Sequence, residues 1–106
     1  MARKQHERQP ANYRRAAILD AAYNLANKRG TFQGLTGDAV TAACNCTRGL
    51  VRYYFGTLQL LHLEVVSMAV HRKNAALVAA AVREGLDEPD MPRALQREVR
   101  RLLAAQ

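Results

Sequence analysis

The sequence predicts an all-α protein, and three observations support this fold class. Alanine and leucine dominate the apolar residues, which favours helices over sheets. Apolar residues recur at three- and four-residue spacing along most of the chain. The spacing is interrupted at residues that typically end or start helices, among them Gly30, Asn45 and Thr57. At 106 residues the chain is long enough for one domain with a single core.

The composition indicates a polyanionic partner. Sixteen Lys and Arg residues against nine Asp and Glu leave a formal charge of +7. Nucleic acid is the first candidate and an anionic membrane the second, while a solvated basic surface without a partner is the alternative. No apolar run reaches the roughly 18 residues that span a bilayer, so we expect no membrane insertion. The basic N-terminus has no apolar segment behind it, unlike a secretory signal.

No catalytic or metal-binding pattern is present in the sequence. It contains no Gly-rich phosphate loop, no HExxH pair and no nucleophile elbow, and its one serine is Ser67, so we expect neither an enzyme nor a cofactor. Cys44 and Cys46 lack the two-pair spacing of a zinc site and stand too close for an ordinary disulfide. We therefore predict two small core-like thiols in a reducing cytoplasm, in preference to a thiol or metal sensor.

The stretch from Leu35 to Phe55 is predicted to form two short helices joined by a tight turn. The first, residues 37–44, begins after the capping residue Thr36. Asn45 is suited to the left-handed conformation that ends a helix, and Thr47 caps the second helix, residues 48–54. This succession is the helix-turn-helix pattern that reads DNA, although many small helical proteins contain such a pair.

The run from Tyr13 to about Val65 resembles the N-terminal DNA-binding domain of the TetR family of transcriptional regulators. The resemblance covers roughly half of the chain and is carried by Ile18, Leu19, Asp20, Ala21, Ala22, Gly30, Thr36, Val40, Thr47, Gly49, Val51, Tyr54, Phe55, Thr57 and Leu61. It implies that the 48–54 helix enters the major groove. The sequence departs from the family at three positions: Asn45 replaces a usual Gly, Arg52 replaces a common Tyr, and Leu58 replaces a phosphate-binding Lys.

The resemblance also implies which residues contact DNA. Arg48 is the first choice for reading a guanine edge, Gly49 allows close approach, and Leu50 reaches a thymine methyl. For Leu50 and Tyr54 the alternative is ordinary packing, and for Arg48 and Arg52 it is a solvated face. The full predicted set is Thr36, Thr47, Arg48, Gly49, Leu50, Arg52, Tyr53 and Tyr54.

Residues 1–11 are predicted to form a flexible basic arm. Its cationic residues Arg3, Lys4 and Arg8 either lie along DNA or form a solvated tail.

Residues 12–56 make up the predicted helix-turn-helix domain. Its first helix, residues 12–29, has an apolar stripe of Ile18, Leu19, Ala22, Leu25 and Ala26, and Phe32 packs under the loop that follows.

Residues 57–106 are predicted to be a dimerisation region. One long helix over residues 57–83 would span about 40 Å and is apolar on several sides. An amphipathic helix capped by Asp90 cannot cover it alone, so we predict a symmetric dimer with a four-helix bundle. The predicted seam comprises Leu61, Val65, Met68, Leu77, Val78, Leu95, Val99 and Leu102.

The function these features predict is a sequence-specific DNA-binding regulator in the cytoplasm, associated with the nucleoid. We expect a homodimeric repressor that binds a palindromic operator on double-stranded DNA. A large ligand-binding domain, which the family carries, is not expected here. The alternative is a helix-turn-helix module that binds a protein and antagonises another regulator; Leu58 favours it, while Arg48 and Arg52 favour DNA. A sequence-neutral nucleoid protein is a third, weaker interpretation.

Overall fold

The computed structural model describes residues 11–86 and 91–106, and within these ranges the chain is helical without a strand. The helices are α1 (Ala11–Arg29), α2 (Gly37–Cys44), α3 (Arg48–Phe55), α4 (Leu58–His71), α5 (Ala75–Arg83) and α6 (Arg93–Ala104). The all-α prediction is confirmed for these residues. None of these helices is both long and apolar enough to cross a membrane. The predicted arm residues Arg3, Lys4 and Arg8 and the predicted cap Asp90 lie outside the described residues.

Threonine caps set the starts of three consecutive helices, as predicted. The side-chain oxygens of Thr36, Thr47 and Thr57 each accept a hydrogen bond of 3.1 Å from a first-turn N–H. Each cap satisfies a backbone donor that has no partner within its helix. Asn45 ends α2 in the left-handed region, with φ 56° and ψ 49°. These local signals fix the bounds of α2 and the start of α3.

One hydrophobic core runs through the described parts of the chain. From α1 it includes Ile18, Ala22, Tyr23 and Ala26, and it continues through α2, α3 and α4 into α5 and α6. The prediction that Phe32 packs under its loop is confirmed, because its side chain is only 2% exposed. The residues on both sides of position 57 therefore contribute to the same buried cluster.

The prediction of one long helix over residues 57–83 is wrong. Helix α4 ends at His71, and α5 starts at Ala75 after a turn in which Lys73 has a positive φ of 59°. The backbone N–H of Asn74 donates to Ala69 O at 2.8 Å, and its side-chain oxygen accepts from Leu77 N at 3.2 Å. The same residue therefore closes one helix and caps the next, which lets the chain change direction.

Because of this turn, the argument for the predicted dimer seam no longer holds. Because α5 is separate, it packs beside α4, and α1 and α6 also pack on α4. Five of the predicted seam residues are consequently at most 3% exposed within the single chain: Leu61, Val65, Leu77, Val78 and Val99. Met68, Leu95 and Leu102 are partly buried. A second chain is not needed to cover α4, and dimerisation stays a prediction.

The expectation of two unpaired thiols is also wrong in this structure. Cys44 and Cys46 form a disulfide, with their Cα atoms 5.4 Å apart. This separation lies within the usual range for disulfides, because the left-handed Asn45 between them turns the chain back on itself. The bond joins the last residue of α2 to the residue before the cap of α3. The argument for a reducing compartment, which rested on unpaired thiols, loses its support.

Candidate nucleic-acid interface

Helix α3 has one buried face and one protruding face. Val51 and Phe55 are 7% and 6% exposed and pack in the core. On the other side, Gly49, Arg52 and Tyr53 are exposed, and Tyr53 is 78% exposed. At 3.6 residues per turn, Gly49 and Tyr53 fall opposite the buried pair, and Arg52 lies on the flank of the helix next to Phe55. The helix is thus anchored along its length while its outer face is open to a partner.

Arg15 of α1 holds the end of α3 against α4. Its guanidinium carbon lies 4.5 Å from the centre of the Phe55 ring, and one of its nitrogens is 2.6 Å from the Glu64 carboxylate. The stacked contact and the ion pair together connect three helices. The sequence did not reveal this role, because no local pattern distinguishes Arg15 from its neighbour Arg14.

A groove of about 410 Å³ lies beside α3, between the N-terminal ends of α2 and α4. Gly37 at the start of α2 and Leu58 at the start of α4 both line it. Their helix ends carry partial positive charge and the side chain of Arg52 adds a full charge, whereas the charge of Arg48 is paired with the Asp38 carboxylate. This combination of charges suits a negatively charged group such as a phosphate.

Arg48 does not project freely from α3. Its Nη1 lies 2.6 Å from the Asp38 carboxylate, and its side chain rests on Gly37. A Cβ added at Gly37 would be 2.7 Å from Arg48 Nε, so a larger residue at position 37 would make the Arg48 side chain shift. The two charged side chains are 63% and 88% exposed, so the ion pair lies at the protein surface. No local sequence pattern indicates this contact, because the two residues are ten positions apart.

The predicted DNA-binding residues of α3 do not share one face: Arg48 and Arg52 line the groove beside α2, whereas Tyr54 lines a separate groove with Leu60 and Leu95. Thr36, Thr47, Arg48, Gly49, Arg52 and Tyr53 are exposed. Leu50 and Tyr54 are half-buried and pack against the core, and the Tyr54 ring meets that of Tyr53 edge-on at 5.0 Å. Within the described residues, no group of three metal-ligating side chains lies together.

Comparisons of the chain with known protein families, with curated proteins and with solved structures found no match. The resemblance to TetR-family regulators therefore stays a prediction that rests on the residues of this sequence. The fold and the surface around α3 define a small all-α protein with a basic, protruding helix.

Proposed function

We propose that this chain is a sequence-specific DNA-binding transcriptional regulator. In this proposal α2, residues 45–47 and α3 act as a helix-turn-helix unit, and α3 enters the major groove. The observation that carries it is the orientation of α3, which is fixed by Val51 and Phe55 and directs Arg52 and Tyr53 outward. The formal charge of +7 supports a polyanionic partner.

The residues around α3 take distinct roles in this proposal. Arg52 and Tyr53 contact base edges or phosphates, and Gly49 allows the helix backbone to approach the groove floor. A phosphate binds in the groove beside α3, near the N-terminal ends of α2 and α4. The hydroxyls of Thr36 and Thr47 already accept backbone hydrogen bonds, and each keeps its own proton as a donor to a phosphate oxygen.

We further propose that the regulator acts as a homodimeric repressor on a palindromic site. Two copies of α3 would then read half-sites about 34 Å apart or a multiple of that distance. In this proposal the two copies meet at the groove of about 540 Å³ between α4 and α6, which is lined by Leu60 and Leu95 and also by the charged side chains of Arg15, Glu64 and Glu98. Leu60 is 49% exposed, so part of its side chain is open to a second copy.

A protein-binding module that antagonises another regulator is the second candidate. The exposed Leu58 and Leu60 at the start of α4, which are 38% and 49% exposed, favour it. Leu58 is also the position at which the resembling family carries a phosphate-binding Lys. In this alternative the apolar start of α4 contacts the partner protein and α3 does not read DNA.

Three arginine substitutions distinguish these candidates. Arg48→Ala and Arg52→Ala are compared with Arg83→Ala, which removes an exposed arginine at the end of α5. The affinity of each variant is measured for a duplex selected by the wild-type protein. If α3 reads DNA, a base-contacting arginine should contribute about 1–3 kcal/mol, while Arg83→Ala changes little. Equal affinities for all three variants would exclude DNA reading by α3.

A further inference from the structure

We infer that α6 binds the phosphate backbone of double-stranded DNA through an arginine row, which consists of Arg93, Arg97, Arg100 and Arg101. This contact is separate from the reading of bases by α3. Contacts to phosphates position a protein on a duplex and carry no sequence information. The inference therefore goes beyond the proposed function, and it holds whether or not α3 recognises a particular sequence.

The arginine row lies on the outer face of α6. Val99 is 3% exposed and packs in the core. At 3.6 residues per turn, the positions two before and two after it, Arg97 and Arg101, fall on the opposite side of the helix, and both are exposed. From Arg93 to Arg101 the row is about 12 Å long, at 1.5 Å per residue. Phosphates of one strand of B-DNA follow each other about every 3.4 Å along the axis, so this length matches about three of them.

The positive charge of the arginine row is poorly compensated within the chain. Glu98 is the only acidic residue in α6, and it lines the groove between α4 and α6. Within the residues that the structure describes, no ion pair includes Arg97, Arg100 or Arg101. Arg97 and Arg101 are four residues apart, a spacing at which like charges repel and destabilise a helix. A polyanion along the row relieves this repulsion, which favours a binding surface over a merely solvated face.

The chemistry of α6 favours nucleic acid over an anionic membrane. The basic residues of α6 are all arginines, whose planar guanidinium donates two parallel hydrogen bonds to a phosphate group. A helix that lies on a membrane inserts its apolar face among the lipids. The apolar side chains of Leu95, Val99 and Leu102 pack against the protein core instead and are not available for insertion. The outer face of α6 thus offers charge alone, which suits a phosphate backbone.

The test removes two charges from the arginine row. An Arg97→Gln, Arg101→Gln double variant keeps residues that favour helices and loses both guanidinium groups. The matched control is a Lys28→Gln, Arg83→Gln double variant, which loses the same charge at exposed positions that border cavities without any residue of α6. Affinities are measured over a range of salt concentrations for a duplex selected by the wild-type protein and for an unrelated duplex of the same length.

We expect the α6 double variant to bind both duplexes more weakly by the same factor. The slope of log affinity against log salt concentration should become shallower by about two, because two phosphate contacts are lost. The control double variant should leave this slope nearly unchanged. An Arg97→Lys, Arg101→Lys variant keeps both charges and should keep most of the slope. Thermal unfolding and light scattering verify that every variant is folded and has the oligomeric state of the wild-type protein.

The outcomes separate this inference from the proposed function. If the α6 variant and the control act alike, or if the α6 variant loses a dimer that the wild-type protein forms, the inference is overturned while DNA reading by α3 stands. It is also overturned if the α6 variant binds DNA normally but no longer binds vesicles of phosphatidylcholine and phosphatidylserine.

If the wild-type protein binds all duplexes alike and the α6 variant still shows the expected loss, the inference stands and sequence-specific regulation fails. If the folded wild-type protein binds no duplex, both fail.

Discussion

The side-chain amide of Asn74 donates a hydrogen bond to the hydroxyl of Tyr23, with 2.8 Å between the two atoms. The same amide also donates to Asn27 Oδ1 at 2.9 Å, while its oxygen accepts from Leu77 N. One side chain thus caps α5 and fastens the turn between α4 and α5 to α1. This contact is one of several that join the C-terminal half of the chain to the half that carries α3.

Replacing Asn74 should therefore destabilise the whole domain. We expect Asn74→Ala to lower the free energy of unfolding by about 1–3 kcal/mol, because it removes a helix cap and the contacts with α1. Urea unfolding of the variant measures this loss. Asn24→Ala, at an exposed position of α1, is the control and should change stability little. A loss at Asn74 no larger than at Asn24 would contradict the proposed role of the turn.

Two neighbouring leucines test whether the start of α4 is core or surface. Leu61 is fully buried and Leu60 is 49% exposed. We expect Leu61→Ala to cost about 2–5 kcal/mol of stability, since it leaves a cavity. Leu60→Ala should stay within about 0.5 kcal/mol in the monomer. Urea unfolding measures the stability of both variants, and light scattering measures their oligomeric state. If Leu61→Ala dissociated a dimer without changing stability, Leu61 would belong to the dimer interface after all.

Glu84 should hold the loop between α1 and α2 in place. Its carboxylate accepts hydrogen bonds from the Thr31 hydroxyl at 2.6 Å and from the Phe32 backbone N–H at 3.0 Å. We expect Glu84→Ala to cost about 1.5–3 kcal/mol and to speed hydrogen exchange at the Phe32 amide selectively. Glu98→Ala is the control for loss of an acidic residue. Unchanged protection of the Phe32 amide would show that Glu84 does not fix the loop.

The disulfide between Cys44 and Cys46 should contribute modestly to stability. It closes a very short loop, for which the chain-entropy model gives about 1.5 kcal/mol at most. We expect a reductant to lower the melting temperature of the wild-type protein slightly. The melting temperature of a Cys44→Ser, Cys46→Ser double variant should not change with reductant. Titration of thiols in the denatured, unreduced protein tests the bond itself. Two titratable thiols would show that the bond does not form.

Local sequence signals were sufficient to predict where the helices in the first half of the chain begin and end. Thr36, Thr47 and Thr57 each cap a helix through a backbone group three residues away, so their effect is readable from a short segment. The break between α4 and α5 was not readable in this way. Lys73 is an uncommon residue for a positive φ, and Asn74 is held by Tyr23 and Asn27, which are distant in sequence.

The candidate site was predictable in its location but not in its details. The spacing of Val51 and Phe55 identifies the buried face of α3, and hence its exposed face. The direction of the Arg48 side chain depends on Asp38, ten residues earlier, and on the space above Gly37. Such contacts depend on how α2 and α3 pack together, which the sequence pattern leaves open.

Selection of bound sequences from a random pool of double-stranded DNA tests the proposed function most directly. The wild-type protein and Arg52→Ala are each scored at two salt concentrations. DNA reading by α3 predicts an enriched palindrome for the wild-type protein, affinity that falls steeply with salt, and weakened or altered enrichment for Arg52→Ala. Absence of any enriched sequence with the folded wild-type protein would contradict sequence-specific regulation.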